Sequence, residues 1–160
     1  MLIFGVDPGS QNVGYGIIEH HKGKVISVGC NTISVSPKLN LAQRLVVIYD
    51  ELCSAIDLYK PDVAAIESIF YGKSIKSAFT LGHARGVCLL SLMKYNLKTY
   101  EYTPKQIKKA ATGNGNATKT QVSFMMKKMF PTSGVQKAGY DATDALATAF
   151  CQFNRQRFGI

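Results

Sequence analysis

Four acidic residues stand where an acid is costly without a partner. Asp7 closes the apolar run "LIFGVD", and Glu67 sits inside "VAAIESIF". Asp141 and Asp144 lie three apart in "YDATDALATA", a spacing that puts them on one face of a helix. An ionised carboxylate at a buried strand end costs free energy if left unpaired. Four gathered together would repel strongly unless cations lay between them. Hard oxygen ligands with open coordination positions suit Mg²⁺ or Mn²⁺. Two such ions, roughly 3.5–4 Å apart, activate a water and stabilise the leaving oxygen of a phosphodiester. Blander readings exist for three of the four. Asp7 precedes Pro-Gly and suits a turn. Asp141 could cap a helix, with Asp144 favourable in its first turn. Glu67, with apolar residues on both sides, is harder to explain that way.

Bringing the four together requires particular elements. Leu2 to Asp7 reads as a buried strand. Gly14 to His20 and Lys24 to Ser34 read as two more, joined at His20-His21-Lys22-Gly23, and the short connections favour antiparallel neighbours. The two histidines are expected to be solvated turn residues. Apolar residues at Leu41, Leu45, Ile48, Leu52, Ile56 and Tyr59 predict a helix over about Leu39 to Tyr59, ended by Pro61. A short strand, Asp62 to Glu67, follows. A helix over about Ser74 to Tyr95, a strand over Lys98 to Tyr102, and a short helix opened by Thr103-Pro104 come next. Gly113-Asn114-Gly115-Asn116 breaks that helix. Further helices are expected from about Thr118 to Phe130 and from near Tyr140 to about Asn154. Three hairpin-linked strands followed by helix–strand crossovers predict an α/β fold. Its sheet would be mixed and five-stranded, with helices on both faces. If the strands ending in Asp7 and Glu67 are parallel neighbours, both carboxylates emerge at one sheet edge.

The background charge is basic. The chain carries 19 Lys+Arg against 10 Asp+Glu, a formal net charge of +9, and a surplus of this size suggests a polyanionic partner such as nucleic acid. Between Lys60 and Lys137 there are 13 basic residues and 3 acidic ones. Basic surroundings hold a phosphate backbone, and a metal site within them can cut it. The 160 residues suit one domain with a sizeable core. Cys30, Cys53, Cys88 and Cys151 are scattered, which argues against zinc and for reduced thiols. With no basic leader and no apolar stretch near the roughly 20 residues that span a bilayer, a soluble cytoplasmic protein is expected, away from the membrane.

The stretches "FGVDPGSQNVGYG", "AAIESIFYGKSIKSAFTLGHARG" and "YDATDALATA" resemble the RuvC family of Holliday-junction resolvases, in the right order and over essentially the whole chain. The resemblance implies a ribonuclease-H-like fold over 1–160 as a single nuclease domain. It implies a homodimer that nicks two opposed strands of four-way junction DNA with Mg²⁺, two ions per subunit, with Mn²⁺ able to substitute. It also implies cooperation with the RuvA–RuvB branch-migration complex. The family's four catalytic and metal-binding carboxylates fall on Asp7, Glu67, Asp141 and Asp144. Some relatives carry His at the last position; this chain has Asp. Phe70 matches an aromatic linked in the family to stacking on bases near the crossover, with Tyr71 beside it. A ring next to a metal site can hold an unstacked base; the less favoured alternative is that it packs in the core. Lys108 and Lys119 match lysines of the DNA and active-site rim.

"GNGNATKT" falls short of a phosphate-binding P-loop. Thr118 replaces the second Gly, and a helix rather than a strand precedes it. A glycine-rich turn opening a helix can still hold a phosphate through free N–H groups, so Asn114 and Asn116 are expected at a DNA-backbone contact. Ala78, Gly82 and Gly86, spaced by four, permit close packing within the chain or across a dimer. The Arg155-Gln156-Arg157 tail is expected to be solvated. An actin- or sugar-kinase-like ATPase also starts with a strand, an Asp-x-Gly turn and a hairpin, but it needs two such domains. A non-catalytic DNA-binding module would not gather acids that repel DNA. The related RNA-processing family of the same fold is disfavoured by "ESIFYGKS" and "GHARG".

Overall fold

Alternation along "LIFGVD" decides where the first carboxylate goes. Side chains of a strand point to opposite faces in turn, so Phe4 and Val6 share one face and Ile3, Gly5 and Asp7 the other. The computed structural model describes residues 1–21, 23–68 and 74–158 and follows this rule. Its elements run β1 (Leu2–Asp7), β2 (Asn12–His21), β3 (Lys24–Ser34), α1 (Leu41–Tyr59), β4 (Val63–Glu67), α2 (Ile75–Lys94), β5 (Lys98–Tyr102), α3 (Pro104–Thr112), α4 (Lys119–Met129), α5 (Ser133–Lys137) and α6 (Tyr140–Phe158).

The strands form one mixed sheet in the order β3-β2-β1-β4-β5. β1, β2 and β3 are antiparallel neighbours, whereas β4 lies parallel to both β1 and β5. Each face carries its own core. Phe4, Val6, Ala64 and Ile66 pack with Ile48, Leu52 and Ile56 of α1 and Cys88 and Leu92 of α2. Ile3, Ile18 and Ala65 pack with Ile107 of α3, Val122 and Met126 of α4, and Leu146 of α6. Burying each such Leu, Ile or Phe side chain contributes about 1.5–3 kcal/mol. The predicted sheet and two-sided helical cover are therefore what the chain builds.

Several helix starts are fixed by reciprocal caps. Asn40, Thr103 and Thr118 each accept a hydrogen bond from the backbone N–H three residues on, and the side-chain oxygens of Gln43, Gln106 and Gln121 accept from the backbone N–H of the cap. Gly113 ends α3 at φ 80°, a left-handed conformation that glycine adopts without strain.

Three local expectations change. β2 starts earlier than predicted and carries both histidines. His20 is not a solvated turn residue, because its ring lies 5.1 Å from that of Phe153. α5 was not predicted, and α6 continues to Phe158 with the Arg155 guanidinium 5.9 Å above the Tyr102 ring. The four cysteines are free thiols. Among the described residues, no helix is long and apolar enough to cross a membrane.

Candidate active site

Because Asp7 ends β1 and Glu67 ends β4, the parallel pairing of these strands brings both carboxylates to one sheet edge, on the face that α6 covers. α6 lies unusually close to that face. A Cβ placed on Gly5 would meet the Ala145 carbonyl oxygen at 2.2 Å, and one on Gly14 would meet the Asp141 carbonyl oxygen at 1.9 Å. The missing side chains let the first two turns of α6 settle onto the sheet. Asp144 is thereby delivered beside Asp7 and Glu67. The three carboxylates line a cavity of about 160 Å³, with Pro104, Ile107 and Lys108 of α3 and Lys119 and Val122 of α4 as the opposite wall. Asp141, one turn earlier, lines an adjoining polar cleft of about 540 Å³ with Asn12, Thr32, Ser34 and Lys137. Its charge still bears on both Asp7 and Asp144.

The electrostatics record this crowding. Burial first, then the charges of Glu67 and Asp144, push the Asp7 carboxyl well above the usual carboxylate range. Burial and the charge of Asp144 raise Glu67 to about 7, with Lys119 and Lys108 pulling the other way. Asp144 is raised by burial too, and is restrained by the Lys119 ammonium, whose Nζ lies 3.5 Å from its Oδ2. Partial burial works against the charge on Lys119, but the surrounding Asp144, Asp7 and Asp141 leave its pKa raised. Desolvation and like charge both disfavour ionised carboxylates here. Among the described residues, no three acidic, histidine or cysteine side chains are already grouped so as to hold an ion. The donor set is nevertheless all oxygen and carries more negative charge than its lysines offset. That chemistry fits a hard divalent cation.

Comparison with known proteins decides the family. The family model described as "Crossover junction endodeoxyribonuclease RuvC" matches residues 3–152. A relative of that description from Caldicellulosiruptor saccharolyticus is 47% identical over 154 residues, covering 94% of this chain and 91% of its own. One from Ruminiclostridium cellulolyticum is 38% identical over 159 residues, covering 99% and 95%. The chain belongs to the RuvC family. Among solved structures, the T. thermophilus RuvC in complex with a Holliday junction substrate superposes with a TM-score of 0.88 at 25% identity, covering 99% of this chain and 96% of that one. The fold is therefore the ribonuclease-H-like fold of RuvC proteins. The activity is that of a nuclease acting on phosphodiester bonds of DNA in recombination and repair, and RuvC nucleases are metal-dependent.

Other residues singled out in the sequence fall in different places. Lys108 and Lys119 both reach the carboxylate cavity. Asn114 and Asn116 are exposed and stand apart from it. The Asn114 side chain accepts from the Asn116 N–H at 2.9 Å and so shapes the turn before α4. Phe70 and Tyr71 lie outside the described residues. Sequence reasoning missed Ile107 and Val122, the apolar wall that desolvates the carboxylates. Their signal is inward helical spacing directly beside Lys108 and three residues after Lys119. It also gave no role to Arg85, although the residue lies within the stretch "GHARG".

Proposed function

We propose that this RuvC-family chain resolves four-way DNA junctions as a homodimer. Each subunit, a single nuclease domain spanning 1–160, nicks one of two opposed strands symmetrically. The observation that carries this reading is the convergence of Asp7, Glu67 and Asp144 from three separate elements on one lysine-rimmed cavity, in a chain of net charge +9. Asp7, Glu67, Asp141 and Asp144 would hold two Mg²⁺ ions, with Mn²⁺ as a substitute. Bound there, the metal supplies an activated water and Lewis-acid stabilisation of the departing oxygen. The protein's own groups do the remainder. Ile107 and Val122 exclude water from the carboxylates. Lys108 and Lys119 draw the scissile phosphate toward them, and Lys119 offsets charge that develops on it. Phe70, with Tyr71, would stack on bases unpaired at the crossover, and Asn114 and Asn116 would lie along the backbone.

One surface supports the assembly. Ile75, Phe79, Gly82, Gly86 and Leu90 run at helical spacing along α2. With Leu45 of α1 they line an apolar cavity of about 710 Å³, where Phe79 is 67% exposed. A second copy docked on this face through a two-fold axis would present two sites to the two-fold symmetry of a junction. RuvA–RuvB would deliver the junction, in the cytoplasm.

The deciding experiment incubates the protein with four-way and linear DNA, with Mg²⁺ and with chelator. Paired nicks in the junction alone, and only with Mg²⁺, are expected. Equal cutting of both substrates, or cutting in chelator, rejects the reading. Asp7→Asn should retain junction binding and lose cutting, and a variant that still nicks in Mg²⁺ removes Asp7 from the catalytic set.

A further inference from the structure

The Glu67 side chain is mounted where regular pairing continues on one side only, with Tyr102 of β5. The β1–β4 ladder ends at Val6↔Ile66, one residue short of Glu67. The peptide joining Glu67 to Ser68 is held at both ends, by an extension of the β5 pairing and by a side chain of α2. Its N–H, from Ser68, donates to the Tyr102 carbonyl on β5 at 2.8 Å. Its C=O, from Glu67, accepts from Arg85 Nε on α2 at 3.1 Å. Arg85 is itself anchored, because Nη2 forms an ion pair with the Glu101 carboxylate on β5. The Arg85 side chain is 15% exposed, so the guanidinium is largely withdrawn from solvent.

We infer that Arg85 is a positioning residue for the Glu67 carboxylate. It anchors the strand end that carries this side chain, from the sheet face opposite the cavity. The inference rests on the placement of Glu67 in the catalytic set. Glu67 is the last residue of β4, paired on one side with Tyr102 of β5 but on the other lying past the end of the β1 ladder. A shift of this strand end would carry its Cα–Cβ bond with it, and the Arg85 bond to its C=O resists that shift. Two N–H groups of one rigid guanidinium reach two acceptors at once, the Glu67 carbonyl and the Glu101 carboxylate. A lysine ammonium is a point charge on a flexible stem and does not reproduce that span. Outer partners that orient a metal-binding side chain typically matter by about 10–100-fold in metal affinity or activity.

The test uses the full-length chain with Arg85→Lys, Arg85→Ala and Glu67→Gln. Four quantities are read: the single-turnover nicking rate on a four-way junction in Mg²⁺, junction affinity in chelator, Mn²⁺ binding to the free protein by EPR titration, and Tm. For Arg85→Lys, nicking slowed about 10–100-fold and Mn²⁺ binding weakened about tenfold are expected, with junction affinity unchanged. Arg85→Ala should go further in the same direction if it folds, and Arg85→Lys carries the test if it does not. Wild-type nicking and Mn²⁺ binding in Arg85→Lys overturn the inference. So does a fall in Tm and junction affinity together with nicking, which would mark a purely structural role. Glu67→Gln separates the two levels. If it is inactive while Arg85→Lys behaves as wild type, only the inference falls. If Glu67→Gln nicks normally, the placement of Glu67 falls and takes the inference with it.

Discussion

Asp7, Glu67 and Asp144 are held together against their own repulsion, which gives the site a signature in stability. An acid whose native pKa lies above its unfolded value binds its proton more tightly when folded. Its stabilising contribution is therefore present at low pH and is lost as pH rises through the native pKa. For Glu67 the window runs from its ordinary 4.5 to about 7, and Asp7 and Asp144 shift in the same direction. In chelator the protein should lose Tm between pH 5 and pH 8, at about the extremes of that window. Glu67→Gln and Asp7→Asn should each raise Tm at the upper end while abolishing nicking, a trade of function for stability. Thermal scans of the three proteins in chelator check this; variants less stable than wild type at pH 8 would mean that the carboxylates are not under strain. The same cost made the acids legible in the sequence, since an acid ending an apolar run calls for a cation. Arg85 was not legible. It acts on a main-chain carbonyl, and such a partner leaves no mark in the residue pattern.

At the scale of elements, α6 decides whether the aspartates reach the strand ends. Its seat on β1 and β2 depends on glycines that leave no room for a side chain. Gly14→Ala would place a methyl 1.9 Å from the Asp141 carbonyl oxygen, so the start of α6 must lift. The expected cost is about 1–3 kcal/mol or more in denaturant unfolding. A disproportionate loss of nicking relative to junction binding should accompany it, because Asp141 and Asp144 ride on the displaced turns. Unchanged unfolding and nicking would show that α6 does not depend on this contact. Much of this level was legible. The strands alternate or run apolar, and the helices carry caps and a 3.6-residue period. α5 escaped because five residues make little more than one turn, too short for a periodic signal. The end of α6 escaped because Asn154-Arg155-Gln156-Arg157 is polar throughout. His20 was misplaced because a basic pair before a glycine looks like a turn, and only the fold brings Phe153 against its ring.

At the scale of the molecule, a symmetric cut needs two sites acting within the lifetime of one complex, so the proposed dimer should be separable from the chemistry. Exposed apolar residues recur along α2 at Ile75, Phe79, Leu90 and Met93, with Val46 of α1 nearby in sequence to the cavity-lining Leu45. Spacings of three and four place such residues on one face of a helix, the pattern of a helix–helix seam. A charge placed in the middle of that seam would be buried without a partner. Phe79→Glu should therefore sediment as a monomer at concentrations where the wild type is a dimer. Ile26→Glu, an equally apolar-to-acidic change on the exposed side of β3, should leave the dimer intact. A supercoiled plasmid that extrudes a cruciform reads the consequence. Coordinated nicks in one binding event linearise it, whereas an isolated nick relaxes it to a circle. The wild type and Ile26→Glu should yield linear product, and Phe79→Glu nicked circles, with Asp7, Glu67, Asp141 and Asp144 untouched. A Phe79→Glu protein that still sediments as a dimer, or still linearises the plasmid, would move the subunit contact off the α1–α2 face.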